Sequence, residues 1–77
     1  MKISIKYCTV WNHLPRVVTL IQNILGEHMT KVSSFELIPG NGGIFEVYAN
    51  GNLIFSRENE GRLPDDLEIG NLIKNLL

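Results

Sequence analysis

The sequence predicts an α/β two-layer sandwich with the element order βαβββα, in which a mixed four-stranded sheet carries both helices on one face. Three observations support this: an alternating N-terminal segment, two segments with apolar residues at helical spacing, and an Asn50-Gly51 pair between β-rich runs. A chain of 77 residues has the length of one small domain, so we expect residues 1–77 to form a single domain.

The first strand and first helix follow from a change of period. Residues 2–7 alternate between an apolar and a polar face, with Ile3, Ile5 and Tyr7 on the first and Lys2, Ser4 and Lys6 on the second. From residue 14 the apolar residues follow helical spacing: Leu14, Val17, Val18, Ile21, Ile24 and Leu25. We expect Gly26 to end this helix.

The next three strands are separated by glycine-containing turns. Residues 31–38 are strand-like with irregular alternation, which is typical of an edge strand, and the PGNGG segment then turns the chain. Residues 44–49 and 52–57 flank Asn50-Gly51. Because a type I′ turn needs positive φ at both central residues, this pair predicts a β-hairpin.

The last helix follows a polar loop. We expect Asp65 to cap it, with Glu68 completing a capping box, and the apolar stripe to comprise Leu67, Ile69, Leu72, Ile73 and Leu76. The βαβ unit should cross over right-handed and make strands 1 and 2 parallel. Lys2, Ser4, Lys6 and Glu46 would then lie on the face without helices.

Composition excludes several classes of function. Seven Lys and Arg against eight Asp and Glu, with no basic block, argue against nucleic acid as a partner. No segment approaches the ~18 apolar residues that span a membrane, and the N-terminus lacks the apolar region of a signal peptide. One cysteine excludes an internal disulfide framework. We therefore expect a cytoplasmic protein with no membrane partner.

Two stretches resemble the selenoprotein W-like (Rdx) family of small thioredoxin-like proteins. They are YC at Tyr7 and Cys8, and LIPGNGGIFEVYANGNLIFSR from Leu37 to Arg57, close to the family pattern P-G-x-G-G-x-F-E-V…G-x-L-I. The match covers nearly the whole chain without a gap. The resemblance implies a thioredoxin-like fold and a redox motif, C-x-x-C or C-x-x-selenocysteine, between the first strand and first helix.

The sequence departs from the family at this motif. Cys8 matches the first redox residue, but Trp11 stands where the second cysteine or selenocysteine would be. A dithiol cycle uses the second thiol to resolve the mixed disulfide, so this chain can carry out at most a monothiol reaction in which an outside thiol, such as glutathione, releases Cys8.

The reactivity of Cys8 depends on where the first helix begins. A helix that starts near Thr9, as in the family, is kinked by Pro15 but places Cys8 at its positive end, which favours the thiolate. A helix capped by Asn12 accommodates Pro15 at its third position and leaves Cys8 four residues before the cap. The sequence leaves both open, together with the alternative that Cys8 is a small buried apolar residue.

Trp11 is a candidate binding residue in a groove beside Cys8, or an aromatic side chain that packs at the edge of the core. His13 has the chemistry of a base, but its spacing favours a solvated residue at the helix start. Cys8, His13 and His28 lack the spacing of a metal site, so we expect no metal and no cofactor.

The GNGG turn leads into a strand and not into a helix, unlike a phosphate-binding loop. In the resembled fold it lies beside the cysteine loop, so Gly42 and Gly43 could let a partner's backbone approach Cys8, or serve only the geometry of a tight turn.

Two functions follow. The first is a monothiol redox protein that forms mixed disulfides through Cys8 with glutathione or a protein partner. The second is a degenerate, non-catalytic module that binds another protein through the groove near Trp11.

Overall fold

The computed structural model describes residues 1–10 and 13–77, and this part of the chain forms four strands and three helices. In chain order they are β1 (Lys2–Cys8), α1 (Leu14–His28), β2 (Ser34–Gly40), β3 (Phe45–Ala49), β4 (Asn52–Ser56), α2 (Arg57–Glu60) and α3 (Glu68–Leu76). The predicted order is confirmed, with the four-residue helix α2 added in the segment that was expected to be a polar loop.

The four strands form one mixed sheet in the order β2-β1-β3-β4. β1 pairs in parallel with β2, from Lys2 opposite Ser34 to Cys8 opposite Gly40. On its other side β1 pairs antiparallel with β3, from Ile3 opposite Ala49 to Tyr7 opposite Phe45. The alternating N-terminal segment is therefore an inner strand, and β2 is the edge strand that its irregular alternation predicted.

Pro39 lies in β2 without breaking the sheet. The Thr9 N–H donates to the Gly40 carbonyl at 3.3 Å, so the main-chain groups of Gly40 face β1. Alternate residues of a parallel pair direct their main-chain groups to opposite sides, and those of Pro39 therefore face away from β1. The missing N–H of Pro39 therefore costs no hydrogen bond within the sheet. It also leaves the outer edge of β2 with one donor fewer for pairing with a strand of another chain.

The hydrophobic core lies between one face of the sheet and the two longer helices. Its buried residues form one cluster: Ile3, Ile5, Val17, Leu20, Ile24, Phe45, Val47, Ala49, Phe55, Ile69 and Ile73. Because α1 and α3 both contribute to this cluster, the prediction that both helices cover one face is confirmed. At ~25 cal/mol per Å² of apolar surface, this cluster is the main source of stability.

The predicted apolar stripes are only partly correct. Leu14 and Val18 are 48% and 44% exposed, and Leu67 and Leu76 are 58% and 54% exposed. In α1 the buried positions are Val17, Leu20, Ile24 and His28. They share a narrow arc of the helix, and Leu14 and Val18 flank it.

Gly26 does not end α1, contrary to the prediction. The helix continues to His28, whose Nε2 lies 3.0 Å from the Gly70 carbonyl oxygen in α3. A Cβ built on Gly26 would have no atom within 4 Å. The buried contact of His28 stabilises the last turn by more than the low helix propensity of glycine costs, so the helix continues through Gly26 to His28.

The hairpin between β3 and β4 is confirmed. Asn50 and Gly51 have φ of 52° and 84°, the left-handed conformation that a type I′ turn requires. Asn50 also binds the start of β1, since its Oδ1 accepts a hydrogen bond from the Lys2 N–H at 2.9 Å and its N–H donates to the Lys2 carbonyl at 2.8 Å.

The short helix α2 has end signals that the sequence analysis missed. The Ser56 side chain accepts a hydrogen bond from the Asn59 N–H at 3.4 Å, and Gly61 ends the helix at φ 73°. Serine before and glycine after a short polar run are the usual helix boundaries, so this helix was readable from the sequence.

The helix α3 begins later than predicted, at Glu68, so Asp65 is not its cap residue. Half of the predicted capping box is present, because the Glu68 carboxylate accepts the Asp65 N–H at 3.1 Å. The same carboxylate binds Arg62 through two hydrogen bonds of 2.7 and 2.9 Å. This bidentate pair fixes the loop before α3 and lowers the pKa of Glu68 below its usual range.

Two alanine substitutions should have opposite effects on stability. Gly51→Ala puts a side chain at φ 84° and should lower the free energy of unfolding by about 1–2 kcal/mol. Gly26→Ala fills open space in a helix and should raise it by about 0.5–1 kcal/mol. Urea unfolding of both variants measures whether each substitution lowers or raises the free energy of unfolding. Destabilisation by Gly26→Ala would contradict the continuous helix.

The Arg62–Glu68 pair should make stability depend on acid pH. Because the pKa of Glu68 is lowered in the folded protein, its contribution is present above the pKa in the unfolded chain and is lost as the pH falls through the folded pKa. Glu68→Gln should therefore destabilise the protein at neutral pH and differ less from the wild type as the pH is lowered. Urea midpoints measured from pH 7 to pH 2.5 test this, with Glu60→Gln as the control.

Candidate functional site

Cys8 is the last residue of β1, and its side chain is 0% exposed. The residues that follow it, Thr9 and Val10, form a turn, and α1 begins six residues after Cys8, at Leu14. The alternative in which the helix begins near Thr9 is therefore wrong. Helix dipoles act within about one turn of the helix end, so α1 does not favour the Cys8 thiolate in this way.

Pro15 sits in the first turn of α1, as the second helical residue. A proline is tolerated there because the first N–H groups of a helix have no partner within the helix. This explains why the helix begins just before Pro15. The residue in the cap position is His13, and the predicted cap Asn12 lies outside the described residues.

His13 is not solvated, contrary to the prediction. It is 6% exposed, and its ring packs edge-on against Phe45, with 5.8 Å between the ring centroids. Val17, in the first turn of α1, is buried in the core, so the start of the helix lies close to the sheet. His13 therefore fixes the start of α1 over the same part of β3 that pairs with the end of β1.

The connection from β2 to β3 passes over the end of β1. β2 and β3 are not neighbours, since β1 lies between them, yet only residues 41–44 join them. Gly42 and Gly43 have φ of 69° and 76°, and the Ile44 N–H donates to the Asn41 carbonyl at 3.4 Å. The glycines thus have the backbone role that the tight-turn interpretation gave them.

A cleft of about 410 Å³ opens beside this turn. It is lined by two segments, residues 41–46 and residues 56–58. Gly42 and Gly43 line this cleft at the end of the sheet where β1 ends, and Cys8 is not among its lining residues. A role of the two glycines in partner binding remains a prediction.

The cleft carries charges of both signs. Glu46, Arg57 and Glu58 are among its lining residues. The Tyr48 hydroxyl donates to the Glu46 carboxylate at 2.7 Å, and this bond raises the pKa of Tyr48 above its usual value. Glu46 is therefore held in one orientation at the wall of the cleft.

The structure brings three of the four predicted site residues to one end of the sheet. Cys8 pairs with Gly40, and the turn with Gly42 and Gly43 follows directly. The fourth, Trp11, lies outside the described residues, and its two alternatives stay predictions. Within residues 1–10 and 13–77, no three His, Cys, Asp or Glu side chains are grouped as metal ligands would be. The helices of the described part fall short of the length and apolar character of a membrane span.

Sequence reasoning missed the residues that complete this site. Ile44 follows Gly42 and Gly43, Ser56 is the last residue of β4, and Arg57 follows it. Nothing in local periodicity marks them, because they reach the site through the pairing of β3 with β1 and β4. The one available signal is the hairpin register, which places Ser56 opposite Glu46.

Two solved structures are similar to this chain over nearly their whole length. A selenoprotein W-related protein of Vibrio cholerae matches with a TM-score of 0.91 and 31% identity, over 97% of this chain and 94% of that one. A protein of Bordetella parapertussis matches with a TM-score of 0.92 and 29% identity, over 99% and 96% of the two chains. These matches confirm the thioredoxin-like fold.

No curated protein sequence matches the chain at a significant level. The model of the Rdx family matches residues 2–75, which include Cys8, the glycine turn, α1 and all of α3 except its last residue. The family that the motifs suggested is confirmed, and the chain belongs to the Rdx family.

Proposed function

We propose that this protein is a monothiol redox protein that forms mixed disulfides through Cys8. The observation that carries the proposal is the position of Cys8: it ends the central strand of an Rdx chain, where the family motif has its first redox residue. The cleft beside the strand end offers a place for the group attached to the partner sulfur. Both glutathione and a protein disulfide are candidate partners.

The chemistry requires two exchange steps. In the first, the Cys8 thiolate attacks one sulfur of a disulfide, the partner's S–S bond breaks, and one partner thiolate leaves. In the second, an outside thiolate attacks the sulfur bonded to Cys8 and releases the Cys8 thiolate. The chain has no second cysteine for this step, so the reductant is a separate molecule. A compartment with reduced glutathione, such as the cytoplasm, supplies it.

One observation favours a second function. The Cys8 side chain is fully buried, whereas an attacking thiol has to meet its partner in line with the bond that breaks. A non-catalytic module would keep the cleft as a protein-binding surface and Cys8 as a buried apolar residue. The two functions differ in whether the folded protein reacts.

Oxidised glutathione should react with the folded protein. We expect the mass to increase by one bound glutathione under native conditions, and reduced glutathione to remove it, because the second exchange step needs only an outside thiol. Intact-mass spectrometry follows both steps, and Cys8→Ser is the control. An adduct that forms only in denaturant would support the binding module.

Trp11→Cys should restore the two-thiol motif of the family, since Cys8 and residue 11 have the C-x-x-C spacing. We expect mild oxidation of this variant to give an intramolecular disulfide, seen as a loss of two thiols without dimer formation. The double variant with Cys8→Ser is the control. Dimers in place of the internal bond would mean that the two positions do not meet.

A further inference from the structure

The turn of residues 41–44 starts and ends beside the last residues of β1. Cys8 pairs with Gly40, the last residue of β2. On the other side of β1, Tyr7 pairs with Phe45, the first residue of β3. Ile44 precedes Phe45 and is the last residue of the turn.

The Ile44 side chain reaches back toward the end of β2. A Cβ built on Gly40 would lie 2.7 Å from Ile44 Cγ2, and Gly40 is the residue that pairs with Cys8 from β2. Since β1 lies between β2 and β3, a side chain that comes from the start of β3 and touches Gly40 crosses the end of β1. The Ile44 side chain therefore lies across the end of β1, beside the Cys8–Gly40 pair.

Strand alternation places the thiol and Ile44 on the same face. Tyr7 packs against the core, so Cys8, the next residue, belongs to the face without helices. The Cβ position of Gly40 is 3.5 Å from Lys6 Cγ, which belongs to that face as well. Phe45 is buried in the core, so Ile44, the residue before it, also belongs to the face without helices. The cover over the thiol is therefore on the open side of the sheet.

Ile44 also lines the cleft formed by residues 41–46 and 56–58. Its side chain has the cleft on one side and Gly40, the residue that pairs with Cys8, on the other. We propose that Ile44 is a gate: a disulfide partner held in the cleft reaches the Cys8 sulfur when the Ile44 side chain turns away from Gly40. The proposal rests on the proposed redox function of Cys8, and it explains how a fully buried thiol reacts in a folded protein.

Removal of the gate should expose the thiol. In Ile44→Ala we expect Cys8 to react with iodoacetamide about tenfold faster than in the wild type, because a local opening is no longer needed. Ile54→Ala is the matched control, since Ile54 is, like Ile44, a half-buried isoleucine, but it does not line the cleft. The free energy of unfolding of each variant is measured, so that alkylation through global unfolding is subtracted.

Gly40→Ala keeps the test decisive if Ile44→Ala does not fold. Its added methyl group would meet Ile44 Cγ2 at 2.7 Å and displace it, so this variant should also react faster than the wild type. The gate is overturned if folded Ile44→Ala or Gly40→Ala reacts no faster than Ile54→Ala after the stability correction. It is overturned too if wild-type Cys8 is alkylated as fast as in the unfolded chain.

Oxidised glutathione separates this proposal from the proposed function. Faster alkylation of the gate variants without any glutathione adduct would support the gate and contradict the redox function. A glutathione adduct that forms at equal rates in the wild type, Ile44→Ala and Ile54→Ala would support the redox function and contradict the gate. We expect the adduct to form in all three and fastest in Ile44→Ala.

Discussion

The structure depends on one constraint: the connection between β2 and β3 has to cross the end of β1. Neighbouring strands are about 4.8 Å apart, so β2 and β3 are separated by roughly 10 Å with β1 between them. Residues 41–44 span this distance and reverse the chain. Positive φ at Gly42 and Gly43 makes the reversal sterically accessible, and the lack of a side chain at Gly40 leaves room for Ile44.

This crossing determines the surroundings of Cys8. β1 ends where the crossing chain meets it, and its last residue, Cys8, pairs with Gly40 of β2 and is fully buried. The start of α1 contributes less than expected, since the helix begins six residues later, with His13 packed on Phe45. We therefore expect the accessibility of the Cys8 thiol, and not a helix dipole, to determine its reactivity.

Most of the fold could be predicted because its signals are local. The alternation in residues 2–7 and the Asn50-Gly51 pair each act within a few residues, and both were correct. The errors arose where contacts between residues far apart in sequence determine the structure. Gly26 stays helical because His28 meets Gly70, 42 positions away in sequence. Ile44 comes to lie beside Gly40 because β2 and β3 pair with opposite sides of β1. Local periodicity contains neither contact, so the sequence identified Cys8 and the glycine turn but not how Ile44 packs beside them.

The most direct test of this account is the distance between the Ile44 side chain and its neighbours, measured by NMR on protein with a labelled isoleucine γ2 methyl group. The account predicts nuclear Overhauser effects from the Ile44 γ2 methyl group to the Gly40 α protons and to the Cys8 β protons. An Ile44 methyl group that shows neither contact would contradict a chain crossing that encloses the end of β1.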